Sequence, residues 1–154
     1  MRITAGDFDD SRVVGLLRIH LTVAHSETAP CSAHALDATG LQSPGITLWT
    51  VWDGEELSGC GALKRLSHDH GEVKSMHTAK SQRGRGVGSM MLRHIIAAAR
   101  KGGMSRLSLQ TGSWDFFQPA VALYKRHGFV ECPPFAGYVE DPNSIFLSLD
   151  LDAA

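Results

Sequence analysis

The stretch Gln82–Met91, QRGRGVGSMM, sets Arg83 and Arg85 among Gly84, Gly86 and Gly88, directly ahead of an apolar run. Glycines allow a tight turn with backbone N–H groups converging, arginines add fixed positive charge, and a following helix adds the positive end of its dipole. The chemistry of that combination is anion binding. Its surroundings are one-sided: from Val73 to Trp114 there is no Asp or Glu, while Lys74, Lys80, Arg83, Arg85, Arg93, Arg100, Lys101 and Arg106 supply 8 of the 15 basic residues. Known anion loops narrow the reading. A nucleotide P-loop needs a lysine after its last glycine, and none follows here. A dinucleotide fingerprint needs G-x-G-x-x-G, whereas Gly84, Gly86 and Gly88 run G-x-G-x-G. What remains is Arg-x-x-Gly-x-Gly, met by Arg83, Gly86 and Gly88, or a plain tight turn between strand and helix.

Other reactive side chains point to less. His68 and His70 have no evident third metal ligand, so no metal site is expected. Cys31, Cys60 and Cys132 are odd in number and far apart, which fits reduced thiols in a cytoplasmic protein rather than a disulfide frame.

The elements that must position the loop are legible from periodicity. Residues 2 to 4 can start a strand, and Ser11 to about Ala24 carries apolar residues at helical spacing behind Asp10 or Ser11 as N-cap. A loop-rich wall over residues 25–45 includes a short helix near Ala33 to Leu41. Ile46 to Trp52, the turn Asp53-Gly54 and Leu57 to Leu66 make a hairpin. The strand Glu72 to Thr78 then enters the glycine loop. Val87, Met91 and Ile95 step along the following helix, which Gly102-Gly103 stops. Arg106 to Thr111 is a strand, Ala120 to His127 a helix, Phe129 the start of a short strand and Ile145 to Leu151 the closing strand. The expected architecture is one mixed α/β domain over residues 1–154, with a central sheet of about six or seven strands flanked by helices.

Composition bounds the function. The chain has 154 residues, 43% hydrophobic and 20% charged, and a net charge of −1. That balance, with no aromatic residues interleaved in the basic block, argues against nucleic acid as a partner. No apolar run approaches the ~20 residues that span a bilayer, so no membrane partner is expected. A second copy of the chain is an allowed partner.

The order strand, glycine loop, amphipathic helix, strand, then "ALYKRHGF" over Ala122–Phe129 resembles the GNAT superfamily of acyl-CoA-dependent N-acyltransferases. Ala120, Tyr124, Gly128 and Phe129 stand at the places of that family's Ala-x-x-x-Tyr-x-x-x-Gly-Phe helix. The resemblance implies splayed central strands and a cofactor pyrophosphate on the amides of Arg83, Gly84, Arg85, Gly86, Val87 and Gly88. It implies acetyl-CoA as acyl donor, its pantetheine lying along the strand before the loop, with Met76 N–H toward the acetyl carbonyl and Thr78 on a pantetheine amide. His77, between them, belongs to the same cofactor-binding strand. Glu72 stands where some histone-acetylating and related members keep a general base, and strict alternation would put it on the side of Met76, with His77 facing away. Tyr124 matches the tyrosine that protonates the departing thiolate. One departure is Phe117, where many relatives carry an Asn that contacts the cofactor.

The resulting expectation is an acetyl-CoA-dependent N-acetyltransferase acting by direct attack of a primary amine, on a small molecule or a peptide. The alternative is a non-catalytic acyl-CoA sensor, which would keep the loop without needing Glu72 or Tyr124. Trp114, Phe116 and Phe117 are expected beside the cofactor groove, and the loops at 25–45 and 131–143, with Phe135 and Tyr138, as walls of the acceptor side.

Overall fold

The computed structural model describes residues 1–152; residues 153 and 154, the end of the expected domain, lie outside the described residues. Seven strands form one sheet: β1 (Arg2–Ala5), β2 (Ile46–Asp53), β3 (Glu56–Arg65), β4 (His70–Thr78), β5 (Arg106–Gly112), β6 (Val130–Glu131) and β7 (Ser144–Asp150). Their order is β1-β2-β3-β4-β5-β7-β6, with only the β4–β5 pair parallel. The helices are α1 (Ser11–Ser26), α2 (Ala38–Leu41), α3 (Val87–Lys101) and α4 (Gln118–Arg126).

Each face of the sheet has its own apolar layer. Asp10 caps α1 by accepting from Arg12 N–H at 2.9 Å, and the helix buries Val13, Leu16 and Leu17 against Leu48, Trp52, Cys60 and Ala62. On the opposite face α3 buries Val87, Met91, Leu92, Ile95, Ile96 and Ala99 against Val51, Leu63, Val73, Leu107 and Leu109. Tyr124 of α4 joins that second layer. The helix expected from Ala33 is shorter and begins at Ala38, where the Asp37 side chain accepts from Gly40 N–H.

Two irregularities of β4 matter most. It pairs with β5 only at His70–Glu72 against Arg106–Ser108, so Val73–Thr78 and Leu109–Gly112 part company. The edge of β4 beyond Glu72 is left without a strand beside it. The second irregularity is a bulge: Ala62 faces Lys74, but Cys60 faces His77, and Ser75 takes φ 55°.

Candidate active site

The bulge decides which side chains share a face. On β3, residues 60, 62 and 64 alternate regularly, and they oppose His77, Lys74 and Glu72. Glu72, Lys74 and His77 therefore all point toward the α1 side. Met76 goes to the other face, packed on the α3 layer; a Cβ at Gly61 would lie 2.9 Å from Met76 Sδ. The expectation that Glu72 and Met76 share a side, with His77 opposite, is thus corrected. One extra residue in β4 inverts the alternation on which it relied.

Where β4 and β5 separate, a cavity of ≈ 500 Å³ opens. At one end lies the glycine loop. Gly84 and Gly86 adopt φ 78° and 80°, the left-handed region that glycine enters freely. Gly86 is the N-cap of α3 and carries no capping side chain, so the first N–H groups of the helix are left for an anion. Arg83, Gly84, Gly86, Val87 and Gly88 all line the cavity. Arg85 does not: its guanidinium donates to Asp53 Oδ2 at 2.8 Å and to Gln82 Oε1, and Gln82 in turn donates to Glu56 at 2.9 Å. The side chain of Arg85 ties the loop to the β2–β3 hairpin, so only its backbone remains for the role expected of it.

Phe117, Met76, His77, Thr78 and Tyr124 also border the cavity. The Phe117 ring fills the space a Cβ on Gly112 would need, wedging the end of β5. Tyr124 is buried, and burial pushes its phenol pKa up, so the hydroxyl stays protonated. Among the described residues that hydroxyl makes no hydrogen bond to protein. The loop amides, Arg83, and a backbone edge leading from the loop to Tyr124 fit a long, phosphorylated thioester such as acetyl-CoA.

At the other end of the cavity Glu72 is buried beneath the sheet's α1 face. Its Oε2 accepts from the Tyr138 hydroxyl at 2.6 Å and from Lys74 Nζ at 3.3 Å, and Lys74 also donates to the Tyr138 oxygen at 3.2 Å. Burial first, then the Glu72 charge, raises the Tyr138 pKa and keeps it a donor. The loop that carries Tyr138 is fastened to the segment after α1: Ser32 donates to Asp141, and His34 stacks edge-on against Tyr138 with centroids 5.0 Å apart. His77 Nδ1 meets His20 Nδ1 of α1 at 3.1 Å. Burial, with His77 and Lys74 nearby, lowers the His20 pKa to about 4; burial, then Arg83, lowers that of His77.

Sequence reasoning named Glu72 but missed its partners. Lys74 carried a signal, since two residues along a strand share a face. The Tyr138 hydroxyl carried none, and neither did His20 as the partner of His77, because only the fold brings them to β4. His68 is exposed, and His70 is engaged with Ser108 at 2.7 Å.

With this geometry in view, comparison with known proteins decides the family. The profile of the acetyltransferase (GNAT) family matches residues 16–129. The chain belongs to the GNAT family. It is 48% identical over 151 residues to the uncharacterised N-acetyltransferase YsnE of Bacillus subtilis, covering 98% of this chain and all of that one. It is 46% identical to the uncharacterised N-acetyltransferase YedL of Escherichia coli, covering 97% and 94%. A more distant relative, 35% identical over 78% of each chain, is the IAA acetyltransferase of Azospirillum brasilense. Among solved structures, a Klebsiella pneumoniae chain superposes with TM-score 0.81 at 27% identity over 97% of both chains. A GNAT family acetyltransferase from Elizabethkingia anophelis with acetyl-CoA bound gives TM-score 0.71 at 17% identity, again over 97% of both, and so shares the fold. As in the GNAT family's expected fold, the central strands are splayed around the cavity.

Proposed function

We propose that this GNAT protein is an acetyl-CoA-dependent N-acetyltransferase that acetylates a primary amine by direct attack within a ternary complex. The observation that carries the reading is the run Val73–Thr78, paired with β3 but free on its β5 side, which leads from the buried Glu72 toward the glycine loop, with Tyr124 lining the same cavity. Acetyl-CoA supplies the activated acetyl group as a thioester. In this reading the amides of residues 83–88 and Arg83 bind its phosphates, and the free edge of β4 aligns the pantetheine arm as an added strand would. Met76 N–H donates to the thioester oxygen. Glu72, directly or through one water, takes the proton that frees the amine lone pair. The N–C bond forms, the C–S bond breaks, the amine sheds its second proton to solvent, and Tyr124 protonates the departing thiolate. Cys60 is buried with its pKa raised to about 12, and no cysteine is placed for a covalent intermediate, which favours direct transfer. The three free cysteines also favour a reducing compartment, the cytoplasm.

The test is a broad amine panel assayed for thiol release, run beside calorimetric binding of acetyl-CoA. Amine-dependent thiol release is the expected result. Tight acetyl-CoA binding with no release across the panel makes the protein a sensor instead. Absence of acetyl-CoA binding removes the cofactor assignment itself.

A further inference from the structure

The charges around the cavity are unequal. Among its described lining residues Glu72 is the one carboxylate, against Lys74, Arg83 and Arg126. Arg83 belongs to the glycine loop and Arg126 to the end of α4, which leaves Lys74 as the cation at the acceptor end. Its side chain is 9% exposed, and its ammonium makes two long bonds, to Glu72 and Tyr138, from three N–H donors. Two further hydroxyls, Thr28 Oγ1 and Ser75 Oγ, are buried with no partner, and both residues line the same cavity. A buried polar group without a partner costs ~1–3 kcal/mol, and the third N–H of Lys74 is left for an acceptor atom the protein does not itself supply.

We propose that the acceptor is a small α-amino acid whose carboxylate is bound by Lys74 and whose amine is presented to Glu72. This rests on the transferase reading for its purpose, not for its binding chemistry. Glu72 and Lys74 stand 3.3 Å apart with opposite charge, and an α-amino acid carries the complementary pair on a single carbon. Binding exchanges one internal ion pair for two intermolecular ones with no net charge brought into the cavity. A polyamine or aminoglycoside would bring several positive charges to a cavity whose one carboxylate is already matched, with nothing to offset their desolvation. Val23, Ala24, Ala33 and Ala35 in the wall suit an apolar side chain.

The experiment titrates matched ligands into the protein saturated with CoA, by calorimetry: L-leucine against L-leucinamide, L-phenylalanine against L-phenylalaninamide, and putrescine. The acids are expected to bind at least about tenfold tighter than their amides, the scale of one charge-assisted hydrogen bond. Lys74→Gln should bring the acids down to the level of the amides, and Lys74→Arg should keep most of the preference. The proposal is overturned if amides or putrescine bind as tightly as the acids, if no acid binds, or if Lys74→Gln retains the preference. Should Lys74→Gln fail to bind CoA, and so to fold, the wild-type ligand pairs and Lys74→Arg decide. A Lys74-dependent preference without thiol release from acetyl-CoA leaves this inference standing and removes the transferase reading.

Discussion

The Tyr138 hydroxyl donates a 2.6 Å hydrogen bond to Glu72 Oε2, joining the β6–β7 loop to the start of the splayed part of β4 across 66 residues of sequence. The bond fixes the carboxylate's orientation and replaces part of its lost hydration. Tyr138→Phe keeps the ring that stacks on His34, Phe135 and Phe146 but leaves a buried carboxylate one donor short. A bond to a charged group contributes ~1.5–3 kcal/mol, so urea unfolding should show a loss of that order. Turnover should fall with little change in acetyl-CoA affinity.

Glu72→Gln tests the base directly. The amide is close to isosteric and can still accept from Tyr138, but it cannot take a proton. Turnover should drop by ~10²–10⁴-fold while calorimetric acetyl-CoA affinity holds, and the acidic limb of the pH–rate profile should move or vanish. Full activity from pH 6 to 9 would hand the role to water or to the His20–His77 pair.

The two arginines of the glycine loop should behave differently. Arg83 lines the cavity, so Arg83→Ala should weaken acetyl-CoA binding by ~1–3 kcal/mol. Arg85 is paired with Asp53 and Gln82, so Arg85→Ala should cost less and be reproduced by Asp53→Asn, which cuts the same tie. Gly86→Val should cost more than either. Open space surrounds a Cβ there, but φ 80° is hostile to a β-branched residue and the added methyls crowd the helix N-terminus. Equal losses for Arg83→Ala and Arg85→Ala, measured by calorimetry, would refute this division.

The half-buried His20 makes stability depend on pH. It is neutral in the fold, with its pKa lowered from 6.5 to about 4, chiefly by burial and then by His77 and Lys74, and His77 is shifted in the same direction. Between those values the unfolded chain binds the proton and the native chain does not. Stability should therefore be full above pH 6.5 and decline by up to ~1.4 kcal/mol per pH unit toward pH 4 from His20 alone, then level off. His20→Gln should flatten that part of a series of urea transitions taken from pH 4 to 8. An unchanged slope would mean that His20 is hydrated in the native state.

Much of this was legible in the sequence because local signals agreed with the fold. Asp10 before an apolar helical stripe, Gly86 ahead of Val87, and the alternation of Leu107 and Leu109 each specify an element by short-range physics. The glycine loop could be read as an anion site for the same reason. The face of Met76 could not, because the bulge at Ser75 depends on how β3 pairs with β4, and nothing in "GEVKSM" marks it. The triad of Glu72, Lys74 and Tyr138 was half visible: the carboxylate and the ammonium share a strand, while the phenol arrives from a loop whose path is set by Ser32 and Asp141. Arg85 was misleading for a related reason. Its partner Asp53 lies 32 residues away in a hairpin whose packing against the loop has no local signature.

Tyr124 gives the sharpest test of the chemistry. Its ring is buried in the α3–α4 layer, edge-on to Phe129 at 5.9 Å, the residue lines the cavity, and burial raises its pKa. Tyr124→Phe removes only the oxygen, so the packing, the unfolding transition and acetyl-CoA affinity should be nearly those of the wild type. Loss of the proton donor for the thiolate should lower turnover by ~10- to 10³-fold. The deficit should shrink with an acyl donor whose thiol has a lower pKa, because a better leaving group needs less protonation as the C–S bond breaks. Wild-type turnover in a folded Tyr124→Phe, or a deficit equal for both donors, would make Tyr124 a packing residue and leave protonation of the thiolate to solvent.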